Sequence, residues 1–325
     1  MKRAVTLLCL LGCYAGISRS SPRAAQIFGE WSAPINPGPP LNTGRNDHYA
    51  VLSKDQLTIY FTSNRLGSLG LDDLWFATRE SVDSPWQEPQ NMGTPETPIN
   101  SVYVDSLPFL SPNERVLYFY SQRPGPCGAT ATGPGDIWMT RRRNKRADWE
   151  EPTNLGCALN TSADEIAPAF FKDPQSGQAW LFYGSDRIVP GVSCVIPGVS
   201  ICGYDVYASP LGVHGVAGPG ILIPEFSSAG RDTRIFIRKD GLEAFITSNR
   251  FGSQLIDIWV TTRDTLFDPW SEPTNLGFPF NSTEDDGSPW LSKDGRTLYF
   301  FSTRTDPTAQ GGRDIWFTTR PKLID

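Results

Sequence analysis

Five acidic residues recur at matched positions: Asp47, Asp105, Glu165, Asp232 and Asp286, between 54 and 67 residues apart. Each is followed by a Ser-x-Arg triplet: Ser63-Asn-Arg65, Ser121-Gln-Arg123, Ser185-Asp-Arg187, Ser248-Asn-Arg250 and Ser302-Thr-Arg304. An Asp-x-aromatic then completes each unit: Asp73/Trp75, Asp136/Trp138, Asp205/Tyr207, Asp257/Trp259 and Asp314/Trp316. Two chemistries follow from these residue types. Converging carboxyls suit glycoside hydrolysis, where one protonated and one charged carboxyl flank the scissile bond. Glu165 would then be the acid and Asp47 the base, with Asp105 as the third carboxyl. Alternatively, each arginine pairs with a carboxylate of its own or the neighbouring repeat, and the Ser and Asn residues close turns. Catalysis needs one site and the pattern occurs five times, so repetition favours the local role.

The elements that must position these residues are legible in the copy from Trp270 to Arg320. The run Pro289-Trp-Leu-Ser-Lys-Asp-Gly ends a strand (A) in a tight hairpin turn. Strand B carries Leu298-Tyr-Phe-Phe, strand C the Asp-x-aromatic, and strand D a Trp-Ser-Glu-Pro segment. A four-stranded unit of this size buries both faces only by stacking on copies of itself. The sequence therefore predicts an all-β, five-bladed β-propeller. The chain opens with a strand-D segment, residues 29–36, and ends after a strand C, so the leading segment should complete the last blade and leave no open edge. The expected blades are 37–93, 94–156, 157–223, 224–277 and 278–325 with 29–36, within a domain spanning 29–325.

Pro289-Trp-Leu-Ser-Lys-Asp-Gly-Arg-Thr-Leu-Tyr-Phe-Phe-Ser-Thr-Arg, with the Gly-Gly-Arg-Asp-Ile-Trp that follows, resembles the WD40-like (PD40) repeats of the TolB-like propeller superfamily. The resemblance covers residues 29–320 and implies an exported scaffold that binds proteins or peptides, or a propeller domain of an enzyme. TolB's additional N-terminal domain has no counterpart here.

Residues 1–28 read as a leader: Lys2 and Arg3, then an apolar run from Ala4 to Gly12. Leu10-Leu11-Gly12-Cys13 resembles a bacterial lipobox, in which Cys13 is lipidated, so an outer-membrane lipoprotein stands beside a periplasmic or secreted protein. Membrane contact is expected only through such an anchor. Four further cysteines, Cys127, Cys157, Cys194 and Cys202, suggest two disulfides in an exported chain. With two histidines and no Cys-x-x-Cys, a zinc site is not expected. No cofactor is expected, although Asn42, Asn100, Asn160 and Asn281 lie where oxygen ligands of a Ca²⁺ ion would be. A net charge of −6 argues against a nucleic-acid partner, and the run Arg141–Arg146 falls on a hairpin loop.

Departures from the repeat point to the top face over blades 2 and 3, where the D-to-A and B-to-C loops emerge. The B-to-C loop of blade 3 holds Cys194 and Cys202, whose bonding would make a rigid apolar flap. A Cys127–Cys157 bond would staple blade 2 to blade 3. The expected ligand residues there are the five acids with Arg123 and Arg187. No nucleophile–base signature is present. The sequence reading is thus a monomeric, non-catalytic envelope or secreted protein that binds a protein, peptide or glycan, with a glycoside hydrolase using Asp47, Asp105 and Glu165 as the alternative.

Overall fold

Short runs of β-branched and aromatic residues, punctuated by Ser-x-Asp turns, fold in this computed structural model into five small antiparallel sheets arranged as a five-bladed β-propeller. Residues 28–128, 133–187, 195–196, 199–200 and 203–323 are described. Blade 1 comprises Asp47–Leu52, Thr58–Ser63, Asp73–Thr78 and Gln90–Asn91, and blade 2 comprises Asp105–Leu110, Val116–Ser121, Asp136–Arg141 and Thr153–Asn154. Blade 3 comprises Glu165–Lys172, Ala179–Ser185, Asp205–Leu211 and Ile221–Leu222, and blade 4 Asp232–Ile237, Glu243–Ser248, Asp257–Thr262 and Thr274–Asn275. Blade 5 has Asp286–Leu291, Thr297–Ser302 and Asp314–Thr319. The innermost strands touch one another in a closed cycle, the last against the first.

The leading segment supplies the fourth strand of blade 5. The Gly29 amide donates to Pro321 O, Ser32 to Thr319 O and Ile35 to Phe317 O at 2.7–2.9 Å, and Phe317 N–H donates back to Ile35 O at 3.0 Å. Strand C of that blade, which would otherwise be an open edge, is thereby covered. The Ser-x-Asp turns are equally local. Ser53 and Ser292 donate to Asp55 and Asp294 two residues on, at 2.6 and 2.5 Å, and each serine oxygen accepts the amide that reopens strand B.

The tryptophans belong to the core. Trp75, Trp149, Trp259, Trp290 and Trp316 are buried among the aliphatic faces of neighbouring blades. Arg79, Arg142, Arg263 and Arg320 each cover the tryptophan of strand D, on Trp86, Trp149, Trp270 and Trp31, at 4.3–4.4 Å. The basic run is thereby partly spent on packing, and its Lys145 pairs with Glu114 at 2.8 Å.

Blade-to-blade joints explain two other recurrent residues. Asn42, Asn100, Asn160 and Asn281 each accept the amide and donate to the carbonyl of one strand-C residue in the adjoining blade: Ile315, Leu74, Ile137 and Ile258. A primary amide satisfies both backbone groups at once. Each of these amide oxygens thus holds one backbone N–H across a blade joint. At Gly70 and Gly311 a Cβ would overlap the Tyr103 and Arg45 carbonyls of the next blade, so only glycine permits that approach.

Cys127 and Cys157 are bonded, stapling the B-to-C loop of blade 2 to the loop entering blade 3. The bond closes a loop of 30 residues, so a Cys127→Ser/Cys157→Ser chain should lose about 3.5 kcal/mol by chain entropy. Urea unfolding checks this, and an unchanged midpoint would mean that the staple carries no stability. Cys13, Cys194, Cys202 and most of the apolar blade 3 loop lie outside the described residues.

Candidate functional site

The structure distributes the expected acids among five equivalent clasps. In each, the arginine of Ser-x-Arg bonds the carboxylate through Nη2 at 2.6–3.0 Å: Arg65 to Asp47, Arg123 to Asp105, Arg187 to Glu165, Arg250 to Asp232 and Arg304 to Asp286. The arginine Nε donates to the serine of its own triplet at 2.8–3.0 Å. A loop Ser or Thr four residues before the acid gives it an amide and a hydroxyl bond at 2.5–2.7 Å. All five carboxyls are fully buried. Glu165 is pushed above the ordinary carboxyl range by burial, against the bonds from Thr161, Ser185 and Arg187 that favour its charge.

These bonds correct the expected ligand set. Asp47, Asp105, Glu165, Asp232 and Asp286 have no surface to offer a sugar, and Arg123 and Arg187 are committed to Asp105 and Glu165 and to the Ile99 and Leu159 carbonyls. Charge-assisted bonds in a dry site lock the loops that surround the channel.

The aspartates of four of the five Asp-x-aromatic units make a second joint. Asp73, Asp136, Asp257 and Asp314 accept from Asn91, Asn154, Asn275 and Asn36 at 2.7–2.9 Å. Asp136 is buried with one oxygen unpartnered, and burial raises it from 3.8 to about 6. Its stabilising protonation is complete below 3.8 and lost as pH rises through 6. Asp136→Asn should therefore show a smaller fall in Tm than the parent chain between pH 4 and pH 7. Calorimetry at both values checks this, and an equal fall would contradict it.

What differs between blades gathers at the mouth of the channel. The position before strand A holds Asn46, Val104, Asp164, Arg231 and Asp285, and the position before strand C holds Asp72, Gly135, Tyr204, Ile256 and Arg313. Asp164 accepts the Gly135 amide at 2.6 Å and the hydroxyls of Tyr120 and Tyr204 at 3.0 and 2.5 Å. Burial and the nearby Asp164 push both tyrosines up, which keeps them donors. Arg231 lies over the Tyr204 ring at 4.5 Å, and Asp186 accepts the Asp164 amide at 2.8 Å.

The second group joins blades 1 and 5. The Asp72 side chain is 27% exposed and lies 3.8 Å from His48 Nε2. Burial raises the Asp72 carboxyl, and burial together with Arg313 holds His48 well below its ordinary value, hence neutral. His48 stacks on Tyr49 at 4.0 Å, and Phe301 packs edge-on against both rings. Tyr49 feels the charges of Asp72, Arg313, Arg231 and Arg234, from blades 1, 5 and 4, which places it where the two groups meet.

Strand bulges present this surface. Tyr49, Leu107, Ala167 and Ser288 all have φ between 54° and 58° at the bulge of strand A. The amides of Leu107 and Ser288 are caught by Thr62 and Thr247 of the preceding blade. Bulges re-aim side chains, and strain of this kind persists where neighbours over-determine it. Sequence reasoning centred on the repeated acids missed Asp72, Asp164, Asp186, Arg231 and Arg313. The available signal was the change of residue type at fixed offsets from the repeat.

No protein family matches the chain, and no curated protein matches it. Among solved structures it is similar to a family 117 glycoside hydrolase from Zobellia galactanivorans, with TM-score 0.56 and 13% identity over 92% of this chain and 93% of that one. It is also similar to an endo-arabinase from Bacteroides thetaiotaomicron, with TM-score 0.55 and 13% identity over 91% and 99% of the two chains. A thermostable family-43 glycoside hydrolase gives TM-score 0.53 and 15% identity over 89% and 93%. At these identities the likeness establishes the five-bladed propeller fold. These neighbours overturn the sequence preference for a non-catalytic binding or scaffold protein, since the matched propellers are glycoside hydrolases.

Proposed function

We propose that the chain is a glycoside hydrolase whose chemistry lies at the channel mouth, with Asp72 and Asp164 in the two carboxyl roles. The observation that carries this reading is a set of titratable groups that depart from the fivefold repeat: Asp72, Arg313 and Arg231 act on Tyr49, and Arg231 covers Tyr204, whose hydroxyl donates to Asp164. Asp72, raised by burial, suits donation of a proton to the departing glycosidic oxygen. Asp164 receives three donors, which fix its carboxyl in place to face an oxocarbenium-like transition state. Arg231, Arg313 and Tyr204 supply donors for the sugar. The likeness to hydrolase propellers supports this assignment over the scaffold role that the PD40-type repeats imply. A carbohydrate is accordingly the partner, and the Cys127–Cys157 bond supports an exported site of action.

The test is the release of reducing ends from a panel of arabinan, α-L-arabinofuranosides and β-1,3-galactan, extended to charged polysaccharides. Cleavage of at least one of these supports the reading, and a chain that folds and cleaves none contradicts it.

A further inference from the structure

The arginines of the five Ser-x-Arg triplets all have carboxylate partners, but three others, Arg231, Arg234 and Arg313, have none among the described residues. Arg234 is 2% exposed and reaches from blade 4 to Ser288 Oγ of blade 5 at 2.9 Å and to the Pro108 carbonyl of blade 2 at 3.0 Å. It thus crosses the interior of the ring, with Nε unpartnered. Arg231, exposed over Tyr204, and Arg313, over Phe301 at 5.6 Å, share with Arg234 the neighbourhood of Tyr49. Among the described residues, none of the three has a carboxylate within ion-pairing distance. Both ring nitrogens of the buried His48 also lack partners. A buried arginine beside two further cations that form no ion pair creates a positive local field, and here it stands against a chain of net charge −6.

The nearby carboxyls form no ion pair with the three: Asp164 is held by two hydroxyls and an amide, and Asp72 lies 3.8 Å from His48. A bare guanidinium pair beside a buried third one matches an oxyanion, which arginine binds through paired donors.

We propose that the mouth selects a glycan bearing an anionic group, a uronate carboxylate or a sulfate ester, held by Arg231 and Arg313 beside the buried Arg234. The inference rests on the hydrolase reading for its ligand class and deepens it. A neutral sugar would leave these cations facing no counter-charge.

Isothermal titration of the full chain with three oligosaccharides of equal length tests the proposal: an oligogalacturonate, a sulfated galacto-oligosaccharide and a neutral galacto-oligosaccharide. At least one charged probe is expected to bind about tenfold more tightly than the neutral one. The arm that binds identifies the carboxylate or the sulfate as the recognised group. Arg231→Gln and Arg313→Gln should each remove most of that preference, whereas Lys293→Gln, at the hairpin turn ending strand A of blade 5, should leave it unchanged. The proposal is overturned if the neutral probe binds as well, if neither arginine variant changes charged binding, if Lys293→Gln weakens binding equally, or if nothing binds. Charged-glycan binding without bond cleavage would keep this inference and sink the hydrolase reading. Cleavage of a neutral glycan with no charge preference would do the reverse.

Discussion

Asp72→Asn is expected to lower kcat on the cleaved glycan about a thousandfold, as loss of a general acid does, with Tm held within a few degrees. Asn is nearly isosteric with Asp, and the Asp72 side chain makes no hydrogen bond that the fold requires; the neutral His48 lies 3.8 Å away, and Arg313 and Asp73 act on the Asp72 carboxyl only through their charge. The acid must be protonated to act. Because burial raises its folded value, the parent activity should fall as pH rises through that value. The variant should lose this alkaline limb. A substrate with a good leaving group, such as a nitrophenyl glycoside, needs little proton assistance and should recover most of the lost rate. A variant that keeps the parent's rate and pH profile would remove Asp72 from the reaction.

Asp105→Ala should unfold the chain readily, at a cost of about 3–5 kcal/mol, the usual penalty for stranding one partner of a buried ion pair. The Arg123 guanidinium would keep only Ser121 and the Ile99 carbonyl, and the Ser101 amide and hydroxyl would lose their acceptor. Removing both partners in Asp105→Ala/Arg123→Ala should cost less than the sum of the single changes, the signature of a coupled pair. Urea unfolding measures this. A loss near that of a surface substitution would mean that the clasp is dispensable, and would return Asp105 to the list of candidate ligands.

The two experiments separate the roles that a sequence pattern had merged. Repetition made the fold legible, because a residue type that returns in five registers reports a joint made five times. The closure by residues 29–36, the pairing of Ser-x-Arg with the acids and the burial of the tryptophans could all be read from that repetition. The same logic misdirected the search for ligands. Asp47, Asp105 and Glu165 resemble a catalytic trio on successive blades, but Asp232 and Asp286 sit in the same clasp and reveal its structural purpose. Asn42, Asn100, Asn160 and Asn281 carry a similar ambiguity, since a two-point bond between blades and a metal ligand call for the same amide. Asp72 and Asp164 escaped notice because each directly precedes a repeated acid, Asp73 and Glu165. Only the structure distinguishes them, Asp72 by its place beside Tyr49 and His48, and Asp164 by the hydroxyls of Tyr120 and Tyr204.

The most direct measurement is a crystal structure of Asp72→Asn with an oligosaccharide from the cleaved polymer. The account predicts a sugar ring at the mouth, its glycosidic oxygen within hydrogen-bond reach of residue 72 and its anomeric centre facing Asp164. A sugar seated instead in the groove of about 450 Å³ between blades 3 and 4, lined by Phe251, Trp259, Trp270 and Glu272, with the mouth empty, would contradict it.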